Sequence, residues 1–245
     1  MNLTQPSRGV RIRHLAVRDF DRIAEIGLDL YPDMPPWTDA ELQSQLDHFA
    51  RGQMVAVEDD SDRVIGYAAS LIIAWEDYGH GHTWSQVTGQ GTFRTHDPTG
   101  RTLYGADVMV DPAAQGRGIG KLFYAARRQL TVDLNLRRIR AMSRLRGYHE
   151  VAPTLTPAQY VEQVVAGQLG DATLSFQLRQ GFRVLDVVPG YLKNDPESLG
   201  HAAVIEWIND AYVPADDVHP ATQGLSIAAE EKTSMQPQMD AEGRR

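Results

Sequence analysis

Cysteine is absent from this chain, which excludes disulfides, thiolate zinc sites and a cysteine nucleophile together. No apolar run approaches the ~20 residues needed to cross a bilayer. Met1 to Val10 is polar and lacks the apolar core of a signal peptide, so a cytoplasmic protein with no membrane partner is expected. Positive charge is in deficit: a net charge of −8 argues against non-specific binding to nucleic acid or anionic membranes, which need a basic face. There is no Gly-x-Ser-x-Gly elbow, so no acyl-enzyme on serine is expected, and no internal repeat, so no tandem domain. What remains is 245 residues, 42% hydrophobic and 23% charged, enough for one large globular domain with a substantial core.

The stretch from Leu103 to Leu136 carries the most information. Tyr104 to Val110 is an apolar run that reads as a strand and ends in Asp111-Pro112. The glycine-rich turn Gln115-Gly116-Arg117-Gly118-Ile119-Gly120-Lys121 follows. Ile119, Leu122, Phe123, Ala126 and Leu130 then repeat as one buried helical face. A strand feeding such a turn into a helix leaves backbone N–H groups aimed outward at the positive end of the helix dipole. Glycine lets phosphates approach that backbone, and Arg117 and Lys121 add charge. The chemistry is that of a phosphate or pyrophosphate cradle.

Two phosphate motifs fail here. A Walker A loop needs four residues between its first glycine and Gly-Lys-Ser/Thr, but only three separate Gly116 from Gly120, and Leu122 stands where the hydroxyl belongs. A dinucleotide fingerprint would put its third glycine on Lys121, and Arg138 to Met142 offers no acidic residue for a ribose. The spacing that fits is Gln-x-x-Gly-x-Gly, from Gln115 through Gly118 to Gly120. It resembles the acyl-CoA signature of the GNAT acetyltransferase superfamily, and the strand Val108-Met109-Val110 with its Asp-Pro precedes it as in that family.

The rest of the chain is consistent with this resemblance. Val10 to Arg13 reads as a strand and Phe20 to Leu30 as a helix. Thr38-Asp39-Ala40-Glu41 is a capping box opening a second helix to about Arg51. Met54 to Glu58 and Val64 to Ile73 are strands joined by a polar turn. Residues 75–101, with five glycines and no sustained period, read as a surface excursion near the cleft. Arg138 to Ser143 is a strand, Thr156-Pro157-Ala158-Gln159 caps a short helix within a loop-and-helix insertion at 144–171, and Ala172 to Gln180 is a further helix. Phe182 to Val188 and His201 to Trp207 are the last strands. The expected organisation is an N-terminal extension at 1–9, one GNAT domain at 10–210 and a disordered tail at 211–245. The resemblance implies an α/β (α+β) fold with a mixed, mostly antiparallel sheet of about seven strands flanked by helices.

Thr83-Trp84, His96-Asp97-Pro98, Leu103 to Asp107, Gly147-Tyr148-His149, Tyr160-Val161 and Ser175 to Leu178 with Gly181-Phe182 look closer still to one branch of the superfamily. In that branch the acetyltransferase-like domain is often fused to a nitrilase-type carbon–nitrogen hydrolase. The resemblance implies backbone contacts from Val108, Met109 and Val110 to a pantetheine arm. It also implies pyrophosphate contacts from Gln115, Gly116, Arg117, Gly118, Ile119, Gly120 and Lys121, with acetyl-CoA as donor and an amine as acceptor. The tyrosine that many members place four residues before the Gly-Phe pair is replaced by Gln177. The carboxylate often used as base falls near Tyr104, unless a bulge swings Asp107 into the cleft.

Acetyl transfer needs a neutral amine, whose pKa as a free lysine-like group is ~10, and donors for the oxyanion and leaving thiolate. Asp107 is the candidate to orient or deprotonate the amine, against a polar strand residue bonded to loop backbone. Tyr104 or Tyr148 is the candidate acid, against a buried structural tyrosine. Glu76, Asp77, His80, His82 and His96 lack a recognised ligand spacing, so no metal is expected. Arg127 and Arg128 read equally as contacts to a CoA 3′-phosphate or as a solvated helix face. Beside the acetyltransferase stands the alternative of a non-catalytic acyl-CoA sensor.

Overall fold

Strands Val10–His14 (β1), Met54–Glu58 (β2), Val64–Ile73 (β3), Thr102–Val110 (β4), Arg138–Arg144 (β5), Arg183–Val188 (β6) and Ala202–Ile208 (β7) form one seven-stranded sheet in the order β1-β2-β3-β4-β5-β7-β6. Only β4 and β5 run parallel; every other neighbouring pair is antiparallel. The computed structural model describes residues 9–32, 34–193 and 195–214. The chain divides into two units, Met1–Tyr212 and Val213–Arg245. The expected extension at 1–9 and tail at 211–245 fall almost wholly outside the described residues.

Among the described residues six α-helices accompany the sheet: Phe20–Leu30 (α1), Asp39–Phe49 (α2), Trp84–Val87 (α3), Ile119–Asp133 (α4), Pro157–Val165 (α5) and Leu174–Arg179 (α6). Their starts are written in the sequence. Thr38, Thr83 and Thr156 each accept a hydrogen bond from the backbone N–H three residues on, while Glu41, Gln86 and Gln159 reach back to the cap. Each such box satisfies N–H groups that a helix start leaves orphaned.

Two cores lie on opposite faces of the sheet. On one, Ile119, Phe123, Ala126 and Leu130 of α4 pack with Val161 and Val164 of α5 and Leu174 of α6. On the other, Phe20, Ile23 and Ile26 of α1 and Leu42 of α2 pack over Tyr67, Tyr104 and Met109. Strand β3 is buried along its whole length, which its unbroken apolar run anticipates for a central strand covered on both sides. Burying a side chain such as Phe123 contributes about 1.5–3 kcal/mol, so truncating it to alanine costs about 3–5 kcal/mol with the cavity included.

The 75–101 segment differs from its sequence reading. It is less a surface excursion than part of the second core: Trp75, Val87 and Phe93 are all buried. Aperiodic spacing hid this, because a coiled segment buries side chains wherever its turns point them. It reaches β4, where the Trp84 indole donates to the carbonyl oxygen of Ala106 at 3.0 Å.

Candidate functional site

The site begins with a fault in β4. Ala69 of β3 pairs with Asp107, but Ser70 pairs with Gly105, so Ala106 is an extra residue in the ladder. A bulge of this kind flips the facing of whatever follows it. Leu103 faces the α4 side and Tyr104 the α1 side. Ala106 and Asp107, although consecutive, both reach the α1 side, where Ala106 packs in the second core and Asp107 meets Trp37. Alternation then resumes with Val108 toward α4 and Met109 toward α1. Without the bulge Asp107 would lie under α4.

The bulge frees backbone oxygens that need donors, and Arg127 supplies them. Its Nη2 donates to the carbonyl oxygens of Ala69 at 2.7 Å and Asp107 at 2.5 Å, and its Nε donates to Ser70 Oγ at 2.9 Å. Gly105 makes room: a Cβ there would stand 3.1 Å from the guanidinium. Arg127 is therefore neither a solvated helix residue nor available to a CoA 3′-phosphate. Helical spacing carried the signal, since Phe123, Arg127 and Leu130 share one face of α4. Burial lowers its pKa, while the charges around Tyr124 and Asp107 oppose that. Arg128 donates to the Gln180 carbonyl at 3.2 Å.

Beside the bulge the sheet opens. Strand β5 pairs with β4 only from Thr102 to Gly105, although on its other side it pairs with β7 along its whole length. The edge of β4 from Ala106 to Val110 is thus left without a ladder partner on the β5 side, where its backbone can bond an extended ligand. The strand leads directly into the glycine turn. Gly116 and Gly118 have φ of 78° and 80°, a left-handed conformation that costs other residues about 1–2 kcal/mol. A Cβ at either would meet nothing within 4 Å, so the turn is open as well as glycine-dependent. Gly118 caps α4 without a side-chain bond, leaving the first N–H groups of the helix for a ligand. Lys121 is exposed, and Arg117 is drawn to Glu58 at 3.2 Å. At Gly120 a Cβ would come within 3.1 Å of the Phe176 ring, a close contact of α4 with α6.

Asp107 is half-buried. Its Oδ2 accepts from Trp37 Nε1 at 3.2 Å, and among the described residues no cationic side chain lies within ion-pair distance of it. Burial pushes its carboxyl above the ordinary range, partly offset by the Trp37 bond and the Val108 N–H. The Trp37 and Trp84 rings stand 5.7 Å apart at 52°. Tyr31 lies nearby and is raised to about 12, by burial first and then by the Asp107 charge. Trp37 and Tyr31 escaped the sequence reading because they come from the α1–α2 connection, far from Asp107 in the chain.

The three residues picked as catalytic candidates are not brought together. Tyr104 is buried, its hydroxyl 3.1 Å from His82 Nε2 and 2.8 Å from the Tyr191 hydroxyl. His82 Nδ1 lies 2.8 Å from the Gly79 carbonyl, which only accepts, so Nδ1 carries the proton. Burial lowers the His82 pKa and keeps the ring neutral; Nε2 then accepts from Tyr104, which accepts from Tyr191. Tyr148 belongs to the opposite core and donates to the Leu155 carbonyl at 3.0 Å. Gln177 meets instead a tyrosine the sequence reading passed over: its Nε2 donates to the Tyr124 hydroxyl at 2.8 Å, while its Oε1 is buried without a partner.

The remaining histidines act singly. His80 Nδ1 lies 2.9 Å from Asp186, and His96 accepts from the Ile72 N–H and stacks on Phe49. Among the described residues no group of three or more ligating side chains is placed to hold a metal ion, and no helix is long and apolar enough to cross a membrane.

The sequence profile of the acetyltransferase (GNAT) family matches residues 12–149. The chain is 35% identical over 208 residues to an uncharacterized N-acetyltransferase, YkwB of Bacillus subtilis, covering 83% of this chain and 91% of that one. It is also 37% identical over 214 residues to a protein named probable hydrolase YhcX of the same organism, covering 87% of this chain but only 41% of that one. Among solved structures, a GNAT-like decarboxylase, GphF, in complex with isobutyryl-CoA superposes with a TM-score of 0.64 at 23% identity, covering 81% of this chain and 98% of that one.

Proposed function

The chain belongs to the acetyltransferase (GNAT) family, and from that premise we propose that it transfers an acyl group, acetyl first among candidates, from acyl-CoA to an amine by direct attack. The observation that carries this reading is the open edge of β4 beyond Gly105, leading into the bare glycine turn at Gln115–Lys121. An extended pantetheine arm would pair with Val108, Met109 and Val110, and the pyrophosphate would lie on the N–H groups from Gln115 to Lys121.

In this reading the two reacting partners use different faces of the sheet. Asp107 stands on the α1 side, where a half-buried carboxylate with a raised pKa suits taking a proton from an ammonium. Tyr124 stands on the α4 side, in the helix that the glycine turn opens. With its oxygen occupied as acceptor from Gln177, its own proton is free to go to a departing thiolate. The amine nitrogen would add to the thioester carbonyl carbon to give a tetrahedral intermediate, whose collapse would break the carbon–sulfur bond as the sulfur takes the Tyr124 proton and the nitrogen releases its remaining extra proton to solvent.

A second reading, a module that binds acyl-CoA without turnover, is favoured by one observation: Gln177 occupies the place of the usual tyrosine. The chain spans about two-fifths of YhcX, and the other segments of that protein are no guide to this one's activity. The two readings separate on release of free thiol from acetyl-CoA in the presence of an amine panel. Amine-dependent thiol release supports the transferase, whereas tight CoA binding without release supports the module.

A further inference from the structure

On the α1 side of the open β4 edge the described groups are one carboxylate and two indole rings. Asp107 offers a carboxylate. Both indole N–H groups are spent on the bulge, that of Trp37 on Asp107 Oδ2 and that of Trp84 on the Ala106 carbonyl. The two rings touch each other, 5.7 Å apart at 52°, and through Trp37 they set apolar, electron-rich surface beside the carboxylate, which suits an ammonium and its carbon skeleton.

Among the described residues the arginines that act on Tyr31, Arg144 and Arg146, are both held in ion pairs. Arg144, whose guanidinium lies 5.7 Å from the Tyr31 ring, holds both oxygens of Asp195 at 2.5 Å and Glu197 at 2.6 Å. Arg140 is bound to Glu206 at 2.9 Å and stacks over Trp75 at 4.3 Å. An acceptor with a carboxylate next to its amine would bring that charge toward Asp107 while these guanidinium groups are already committed, an arrangement that like-charge repulsion and desolvation both oppose.

We propose, resting on the acyltransferase reading above, that the acceptor is a small primary alkyl- or arylalkylamine with no carboxylate on its amine-bearing carbon, its ammonium on Asp107 and its skeleton against the joined indole surface of Trp37 and Trp84. α-Amino acids are disfavoured by the same site.

The test is a calorimetric titration of the full-length protein loaded with CoA, which binds the donor slot but carries no acyl group to transfer. The probes are matched pairs: tryptamine against tryptophan, phenethylamine against phenylalanine, and cadaverine against lysine. The expected result is that the amine in at least one pair binds tenfold or more tightly than its amino acid. Trp37→Ala and Asp107→Asn should each weaken that amine at least tenfold while CoA affinity holds. CoA binding with an amino acid as tight as its amine in every pair, or with no amine bound, would overturn the proposal and leave the donor reading intact. Failure to bind CoA would instead remove the donor reading, and this proposal with it.

Discussion

Arg127 donates to the backbone carbonyl of Asp107 from one side of the sheet while the Asp107 side chain emerges on the other. One buried guanidinium thus fixes the bulge that decides which face the carboxylate serves. Arg127→Met should expose the dependence: losing donors to buried oxygens costs about 1–3 kcal/mol apiece, so a drop of at least about 2 kcal/mol in unfolding free energy is expected by urea titration. Arg127→Lys should recover only part of it, because one ammonium cannot span three acceptors as the planar fork does. A methionine variant as stable as the parent would mean that the bulge does not need the arginine.

The Gln177–Tyr124 pair makes the second prediction. If Tyr124 gives its proton to the leaving thiolate, Tyr124→Phe should lower kcat for amine acylation by about 10²-fold, the low end for a lost general acid, with acetyl-CoA affinity little changed. Unchanged turnover would assign Tyr124 to packing against Phe176 and Phe182, whose rings it meets edge-on.

Asp107 predicts a pH signature of definite sign. Burial raises its carboxyl in the fold, so the charged form destabilises the folded state and the protonated form does not. The relative stability from this group is present at low pH and lost as pH rises through the raised value. Asp107→Asn, which has no such cost, should therefore melt higher than the parent at pH 7, and the gap should close as pH falls. The same variant should lose most of its amine turnover. A gap that widens toward acid would contradict the assignment.

At the glycine turn, Gly118→Glu places a charged side chain on a left-handed residue in the open cradle. Acetyl-CoA binding should fall below detection while near-ultraviolet circular dichroism keeps its folded signature. Gly118→Ala separates strain from blockage: it should cost about 1–2 kcal/mol of stability and leave measurable affinity.

Local signals in the sequence carried most of the fold. The capping threonines Thr38 and Thr156, the apolar run of β3 and the 119–130 helical face each specify their element from a few adjacent residues, and the glycine turn with its preceding strand was legible for the same reason. The acceptor side was not, because its parts meet only in three dimensions. Trp37 reaches Asp107 across 70 positions of sequence, and Tyr191 reaches Tyr104 across 87. The bulge at Ala106 was only a possibility in the sequence, since nothing in Gly105-Ala106-Asp107 by itself breaks the alternation; Arg127, from another element, stabilises it. Thr83 and Gln86 did spell a third capping box, but it sits in a segment whose lack of period concealed its place in the core.

The most direct test of the central claim is calorimetric titration of acetyl-CoA into the full-length protein, with ATP and NAD as controls. The open β4 edge and glycine turn predict saturable one-to-one binding of acetyl-CoA that Gly118→Glu abolishes, and no comparable binding of ATP or NAD. No acetyl-CoA binding, or binding that survives Gly118→Glu unchanged, would contradict the donor site.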